Sequence, residues 1–434
     1  MQTQFSESQL ALPALAQANE VLRTCVHCGL CLSTCPTYAI LGDERDSPRG
    51  RIYMIKDMLE AGGPADATVT RHIDRCLSCL SCMTTCPAGV DYMHLVDHAR
   101  GHIERTWKRP PVERALRTLL SVMLPSPNLA RLALLAARGP SLLAPLFRGR
   151  LGALLRLAGR PTYGPSWVER PQVILAQGPR RKRVGLLTGC VQCTLAPEIN
   201  EAAVRVLTRH GCEVVVPRGV GCCGALAHHL GDEARGRAHA GRAAAAFARE
   251  AAEGGLDAIV ATASGCGTML KDYGHLLKDD QARAADGALV AERARDISEV
   301  LDELGLTGLG PSTTKAPVAY HSACSLQHGQ KIDRQPLALL ANAGFTVRTV
   351  PDGHFCCGSA GTYNMLQPDL AGALGARKAA AIESTGAALV AAGNIGCMVQ
   401  IAGHTALPVV HTVELLDWAT GGPRPPALER FVAG

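Results

Sequence analysis

The chain has 434 residues, a formal net charge of +6, aromatics at only 4% and 18 cysteines. That length accommodates about three domains of roughly 150 residues. The N-terminal MQTQFSESQL lacks a basic, apolar leader, so the cysteines are expected to do metal or redox work in a reducing cytoplasm rather than to form disulfides. The longest charge-free run, Ser384 to Val410, holds four glycines with Asn394, Gln400, His404 and Pro408, so no membrane-spanning helix is expected.

In chain order, residues 9–24 read as one short helix. Two cysteine runs of one spacing follow: Cys25, Cys28, Cys31, Cys35-Pro36, and Cys76, Cys79, Cys82, Cys86-Pro87. C-x2-C-x2-C-x3-C-P is the pattern of ferredoxins with two [4Fe–4S] clusters, in which the fourth cysteine leaves its loop to ligate the other cube. The expected ligand sets are therefore crossed: Cys25, Cys28, Cys31 and Cys86 for one cluster, and Cys76, Cys79, Cys82 and Cys35 for the other. C-x2-C pairs also suit zinc, but two full runs each closed by Cys-Pro favour the cubes. Between the runs, Asp43 to Arg51 reads as a polar loop. Its Arg49 and Arg51 are either solvated or offset the negative charge of a thiolate-bound cluster. Ile52–Leu59 and Asp91–Trp107 read as helices.

From Lys108 to Arg183 there are 15 Lys and Arg against Glu113 and Glu169, which leaves the rest of the chain net acidic. Leu116, Leu119, Leu120 and Met123 form one helical face, stopped by Pro125 and Pro127, and Leu151, Leu154 and Leu155 repeat the pattern. Arg131, Arg138, Arg148, Arg150 and Arg156 lie among such leucines. This suits either a helical linker packed on protein or an amphipathic surface on an anionic membrane. No nucleic-acid-binding motif accompanies the charge.

The remainder contains an internal repeat. Cys190 matches Cys324, and Cys222-Cys223-Gly224 matches Cys356-Cys357-Gly358, both at an offset of 134; Cys266 matches Cys397 at 131. Strands (VGLLTGC, PVAYHSAC), helices, second strands (CEVVVP, FTVRTVP), the Cys-Cys-Gly loop, an Ala-rich helix and a third strand recur in the same order. That alternation implies parallel, doubly wound α/β units, with the cysteines at strand C-termini, where such sheets place ligands. The expected architecture is thus α+β and α/β multidomain: a helical bis-[4Fe–4S] ferredoxin module (1–107), a basic helical linker (108–183), and two tandem doubly wound cysteine-rich repeats (184–310 and 311–434).

The second cysteine set, Cys190, Cys222, Cys223, Cys266, Cys324, Cys356, Cys357 and Cys397, leaves several chemistries open: a third iron–sulfur centre, zinc, a redox-active thiol pair, or unliganded thiols. Two pseudo-symmetric copies are expected to bring their Cys-Cys-Gly loops towards a common axis. Cys193 and Cys212 have no counterpart in the second repeat and read as structural.

The stretches CVHCGLCLSTCPTY, GDERDSPRGRIYMIK, DRCLSCLSCMTTCPAGV, GCCGA, TASGCG, SLQHGQK, CCGSAGTYN and NIGC resemble the iron–sulfur subunits of bacterial glycolate oxidase over essentially the whole chain. GCCG and CCGSAGTYN are similar to the cysteine-rich CCG domain of that family and of heterodisulfide-reductase-like proteins, whose five-cysteine pattern this chain departs from at Met269 and Gln400. The resemblance implies an electron-transfer subunit that takes electrons from FAD-carrying partner subunits oxidising glycolate to glyoxylate. It would pass them towards a membrane quinone, at the cytoplasmic face of the cell membrane. No G-x-G-x-x-G follows a strand, so the hydride step falls to a partner, and no catalytic residue is expected in this chain. The alternatives are the same module serving a D-lactate or glycerol-3-phosphate dehydrogenase, a heterodisulfide-reductase-like thiol/disulfide module, or a structural zinc protein.

Overall fold

The computed structural model describes residues 1–147, 149–158, 164–310 and 316–429. The N-terminal module is all helix and turn. The helix expected over 9–24 is broken into Glu7–Leu10 and Pro13–Thr24. Pro13 forces the preceding Leu12 into an extended conformation, φ −88° and ψ 116°, which interrupts the helical run. After helix Pro36–Leu41, the helix expected over 52–59 is longer, Pro48–Ala61, because Ser47 caps it through the Gly50 N–H and Pro48 occupies its first turn. Asp43 to Arg51 is therefore no open polar loop: Asp46, Ser47 and Arg51 are fully buried. Helices Ala67–Asp74 and Tyr92–Thr106 close the module over Leu22, Ile55, Ile73, Val96 and Ile103.

Two sheets follow. The first has β1 (Gln172–Ile174), β2 (Lys182–Leu187), β3 (Cys212–Val216), β4 (Ala258–Ala261) and β5 (Ala294–Asp296), in the order β1-β3-β2-β4-β5. The second has β6 (Pro317–His321), β7 (Thr346–Thr349), β8 (Leu389–Ala392) and β9 (Val409–His411), in the order β7-β6-β8-β9. Apart from antiparallel β1, all pairings are parallel, and the two sheets share one topology. β1 lies inside the 108–183 segment, so that segment contributes a strand to the first sheet as well as linker helices.

The two units interlock. Helix Glu198–Arg209 of the first packs on Thr412–Ala419 of the second, and Ile297–Leu304 of the first on Gln335–Asn342 of the second. One apolar core results, running through Val184, Val260, Leu301, Val318, Leu389 and Leu416. Ser264 Oγ and Ser325 Oγ meet at 2.7 Å across the join, and the Ser264 N–H donates to the Gly393 carbonyl at 3.3 Å.

The basic segment forms helices Pro111–Met123, Pro127–Ala136 and Gly149–Ala158. Leu116, Leu120, Met123, Leu154 and Leu157 pack against Leu230 of the first unit and Met365 and Leu366 of the second, while Leu119 stays exposed. Much of its positive charge is spent on ion pairs. Arg109 binds Asp74 (2.6 Å), Glu104 (3.0 Å) and Glu113 (3.0 Å), and Arg117 joins it on Asp74 at 2.6 Å. Arg131 is buried, donating to Glu169 and to the Cys193 carbonyl (2.6 Å). Of the five arginines singled out, Arg138 and Arg156 are exposed, Arg150 donates to the Leu366 carbonyl, and Arg148 lies outside the described residues.

Asp74 is the clasp between the ferredoxin module and this segment. Burial alone would raise its pKa, but Arg117 and Arg109 outweigh burial and hold the carboxyl below its usual range. A depressed carboxylate pKa stabilises the fold above the ordinary value of about 3.9 and loses that stabilisation as pH falls through the folded-state value. Asp74→Ala, which removes the carboxylate shared by Arg109 and Arg117 and leaves them Glu104 and Glu113, is expected to cost about 1–3 kcal/mol. Thermal unfolding at pH 7 should show the lower midpoint, and the gap between wild type and variant should close on acidification.

Candidate functional site

Each cysteine run is a tight loop with the same backbone. His27 and Gly29 in the first, and Ser78 and Leu80 in the second, all have positive φ. For Leu80 this left-handed conformation costs roughly 1–2 kcal/mol; it is kept because it curls the loop so that the sulfurs converge. The same curl points backbone N–H groups at sulfur: Ser78 donates to Cys76 and Ser81 to Cys79.

The two runs bring their sulfurs together, with Cys82 bordering both loops. Cys25, Cys28, Cys31 and Cys86 line one surface pocket, with Cys82, Arg49 and Tyr92 also in its wall. Deeper in, Cys82 feels Cys76, Cys35 and Cys31 as close charges, and Cys79 feels Cys82 and Cys35. Burial pushes the thiols of Cys79 and Cys82 well up. At Cys76, burial is overcome by Arg51 and Arg100, and the thiol sits below its usual range.

Arg51 is the centre of this arrangement. It is 1% exposed, donates to the His72 carbonyl (2.8 Å), Thr37 (3.0 Å) and Asp46 (3.3 Å), and places Nη1 at 3.9 Å from Cys35 Sγ. Of the two readings of the arginines, Arg51 therefore offsets sulfur charge, while Arg49 pairs with Glu44 at 2.8 Å near the surface. Arg100 adds a second cation, donating to the Cys76 carbonyl at 2.7 Å and to Ser78 at 2.6 Å.

In the α/β units each set of four cysteines converges within its own repeat. Cys190 and Cys222 sulfurs lie 3.5 Å apart, and Cys223 hydrogen-bonds both Cys222 and Cys266. Thiol donation from Cys190 and Cys223, with the Gly224 N–H at 3.3 Å, holds Cys222 well below its usual range. In the second unit Cys324 and Cys356 are 3.8 Å apart, and Cys357 bonds Cys356 and Cys397. The two sets do not merge into one cluster of sulfur contacts at the axis; the join is made by Ser264 and Ser325 instead. Gly224 and Gly358 have φ of +92° and +90°, and a Cβ at either would sit 2.5 or 2.7 Å from a carbonyl of the following helix. Glycine is required there for the loop to close.

The second set abuts the ferredoxin module. Cys79 feels Cys324, and Cys356 feels Cys79; Leu77, Cys79, Cys356 and Tyr363 share one small apolar cluster. Tyr363 donates to the Arg75 carbonyl at 3.1 Å, and Thr84 meets His328 at 2.8 Å. Cys193 and Cys212 are buried in the first unit; the Cys193 thiol donates to the Thr188 carbonyl at 3.4 Å and also feels Cys266, and Cys212 packs in the apolar core. At the positions where the five-cysteine pattern is broken, Met269 packs in the core, and Gln400 donates to the Ala371 carbonyl at 2.9 Å. Sequence reasoning missed His321, Lys378 and Arg100. His321 stands three residues before Cys324 at the end of a strand, which was the available signal.

A 4Fe-4S dicluster domain model matches residues 21–90, and a cysteine-rich domain model (CCG) matches 184–271 and 318–402. The glycolate oxidase iron–sulfur subunit of Escherichia coli is 40% identical over 96% of this chain and 99% of its own length. The probable glycolate oxidase iron–sulfur subunit of Bacillus subtilis is 32% identical over 88% of each chain. The chain belongs to this family of iron–sulfur subunits. Lactate utilization protein A of Bacillus velezensis is 28% identical over 54% of this chain and 99% of its own length. Members of the family are iron–sulfur proteins, and the donor sets, compensating cations and curled loops of this chain fit two [4Fe–4S] clusters.

Arg51→Lys keeps a cation but loses the planar fork, and Arg51→Met removes the charge. By Coulomb's law at about 5 Å and an effective dielectric near 20, the Met variant should lower the potential of the adjacent cluster by on the order of 100 mV. An EPR-monitored redox titration checks this, with the other cluster as internal reference.

Proposed function

We infer that the chain carries electrons from a flavoprotein partner that oxidises glycolate to glyoxylate, and hands them to a membrane quinone. The observation that carries this reading is a file of sulfur sites from an exposed first loop to a buried second one. Cys28 is exposed, flanked by Val26 (69% exposed) and Leu30 (55%), an apolar rim suited to a docking flavin subunit. Cys25, Cys28, Cys31 and Cys86 would hold the entry cluster, and Cys76, Cys79, Cys82 and Cys35 the inner one. Such clusters supply one-electron steps, matching a two-electron flavin to successive single transfers. Arg51 and Arg100 stabilise the more reduced, more negative state of the inner site. Leu77 and Tyr363 exclude water from its far side, where Cys324 and Cys356 stand.

Extent of similarity favours glycolate over lactate, since the glycolate oxidase relatives align along nearly the whole chain and the lactate utilization protein along half. Mixing the chain with its flavin partner should give cluster reduction by glycolate, seen as bleaching and by EPR. Reduction by D-lactate or glycerol 3-phosphate and not glycolate would refute the assignment. Cys35→Ser should selectively alter the signal of the inner cluster; selective loss of the entry signal would overturn the crossed ligation.

The same reading places the protein peripherally at the cytoplasmic face of the membrane. Among the described residues no single helix is long and apolar enough to cross a bilayer. Leu132, Leu142 and Leu146 are 65%, 83% and 77% exposed, and the exposed Arg138 and Arg156 lie on the same segment. Leucines immersed at the interface beside arginines suit anionic lipid. Changing those three leucines to serine should reduce co-sedimentation with anionic vesicles several-fold; unchanged sedimentation would show that the segment serves another surface.

A further inference from the structure

The two cysteine-rich units share a topology but not a pocket. At the end of β6 in the second unit stands His321, 1% exposed, with neither ring nitrogen hydrogen-bonded to the protein. One ring nitrogen of His321 and the sulfurs of Cys357 and Cys397 all lie within 4.8 Å of one another. Apolar Ala323, Leu326, Val390 and Ile401 pack about the two cysteines, and the buried Lys378 ammonium lies near enough to disfavour a protonated imidazole. An imidazole with two unsatisfied nitrogens in such a place is costly, on the order of 1–3 kcal/mol per buried polar group. Groups of this kind persist where a ligand completes them. At the same offset of 134 the first unit has Leu187, which cannot ligate.

We propose that the second cysteine-rich unit, and not the first, holds a mononuclear zinc ion through His321, Cys357 and Cys397, with a solvent molecule as fourth ligand. Zn–S bonds of about 2.3 Å and Zn–N bonds of about 2.0 Å imply ligand atoms about 3.5–3.8 Å apart in a tetrahedron. A contraction of about 1 Å from the outer limit of the observed group reaches this. Two thiolates and a neutral imidazole bring the ion to zero net charge, as a buried site needs. Asn394 Nδ2 donates to Cys397 Sγ at 3.4 Å and fixes that ligand from behind. Lys378, 2% exposed, is held by the Asp352 carbonyl on the same side of the unit as the four sulfurs; the offset position in the first unit is Ala244. The ion would tie the ends of β6 and β8 to the Cys-Cys-Gly loop, and so hold Cys324 and Cys356 against Cys79. Being redox-inert, it would act as a staple and not as a relay. This rests on the electron-transfer reading only for its purpose, not for its existence.

The test is metal analysis and zinc-edge X-ray absorption on anaerobically purified full-length protein. The expected result is stoichiometric zinc with two sulfur and two nitrogen or oxygen neighbours. His321→Ala should lower zinc affinity at least tenfold, while iron, sulfide and the EPR signals of both cubes stay unchanged; Cys222→Ser should leave zinc in place. Absence of zinc, three or four sulfur neighbours, or full zinc retention by His321→Ala would overturn the proposal. Iron in excess of two cubes, lost with Cys357→Ser, would also overturn it in favour of a third cluster. Because absorption is read on the wild type, a variant that fails to fold does not decide the matter. Loss of the cubes' own signals in wild type would count against the electron-transfer reading and leave the zinc result standing.

Discussion

Buried sulfur charge is the constraint on which the arrangement depends. Thiolates taken out of water are expensive unless compensated, and the chain answers with fixed cations and directed N–H groups instead of solvent. Arg51 is the principal answer at the inner ferredoxin loop. It must itself be satisfied, which is why Asp46, Thr37 and the His72 carbonyl are gathered round it. That requirement buries Asp46, Ser47 and Arg51 within a stretch of charged residues, next to the start of the helix Pro48–Ala61.

The same logic, solved differently, separates the two cysteine-rich units. In the first, proton sharing and the Gly224 N–H stabilise a thiolate on Cys222. In the second, Cys324, Cys356 and Cys357 are all pushed upward, and the bond to Cys356 raises Cys324. At Cys356 and Cys357 the bonds from Cys324 and Cys356 lower the pKa and are outweighed by the bonds to Cys357 and Cys397 and by burial. A buried lysine and an imidazole stand nearby. Duplication preserved the scaffold, and the side chains around the sulfurs diverged.

Spacing carried much of this in advance. The runs Cys25–Cys35 and Cys76–Cys86 were legible because ligating a cube demands those intervals, and the twofold α/β pattern was legible because the 134-residue offset recurs with its strands and helices. What the sequence hid was set by tertiary partners. Asp43 to Arg51 looks solvated when its partners are unknown; Asp46, Ser47 and Arg51 become interior once Arg51 meets Cys35 and Asp46, while Glu44 and Arg45 stay exposed. Arg131 looks like a surface charge among leucines until Glu169 and the Cys193 carbonyl are brought to it. β1 was invisible because three residues, Gln172–Ile174, are too few for a periodic signal; they become a strand only by pairing with β3. The break before Pro13 was the exception, a local rule overlooked within an apolar run.

The packing of helices across the two α/β units bears on how the chain is made. Helix Glu198–Arg209 has its packing partner in Thr412–Ala419, some two hundred residues downstream. At about 5–20 residues per second, a nascent chain would wait on the order of 10–40 s between synthesising the first and finishing the second. During that interval this face of the first unit lacks its partner, while Cys222, Cys223 and Cys266, which follow Arg209 in the chain, are still being added. The face that Glu198–Arg209 presents to the second unit can therefore close only late in synthesis, after Thr412–Ala419 has been made.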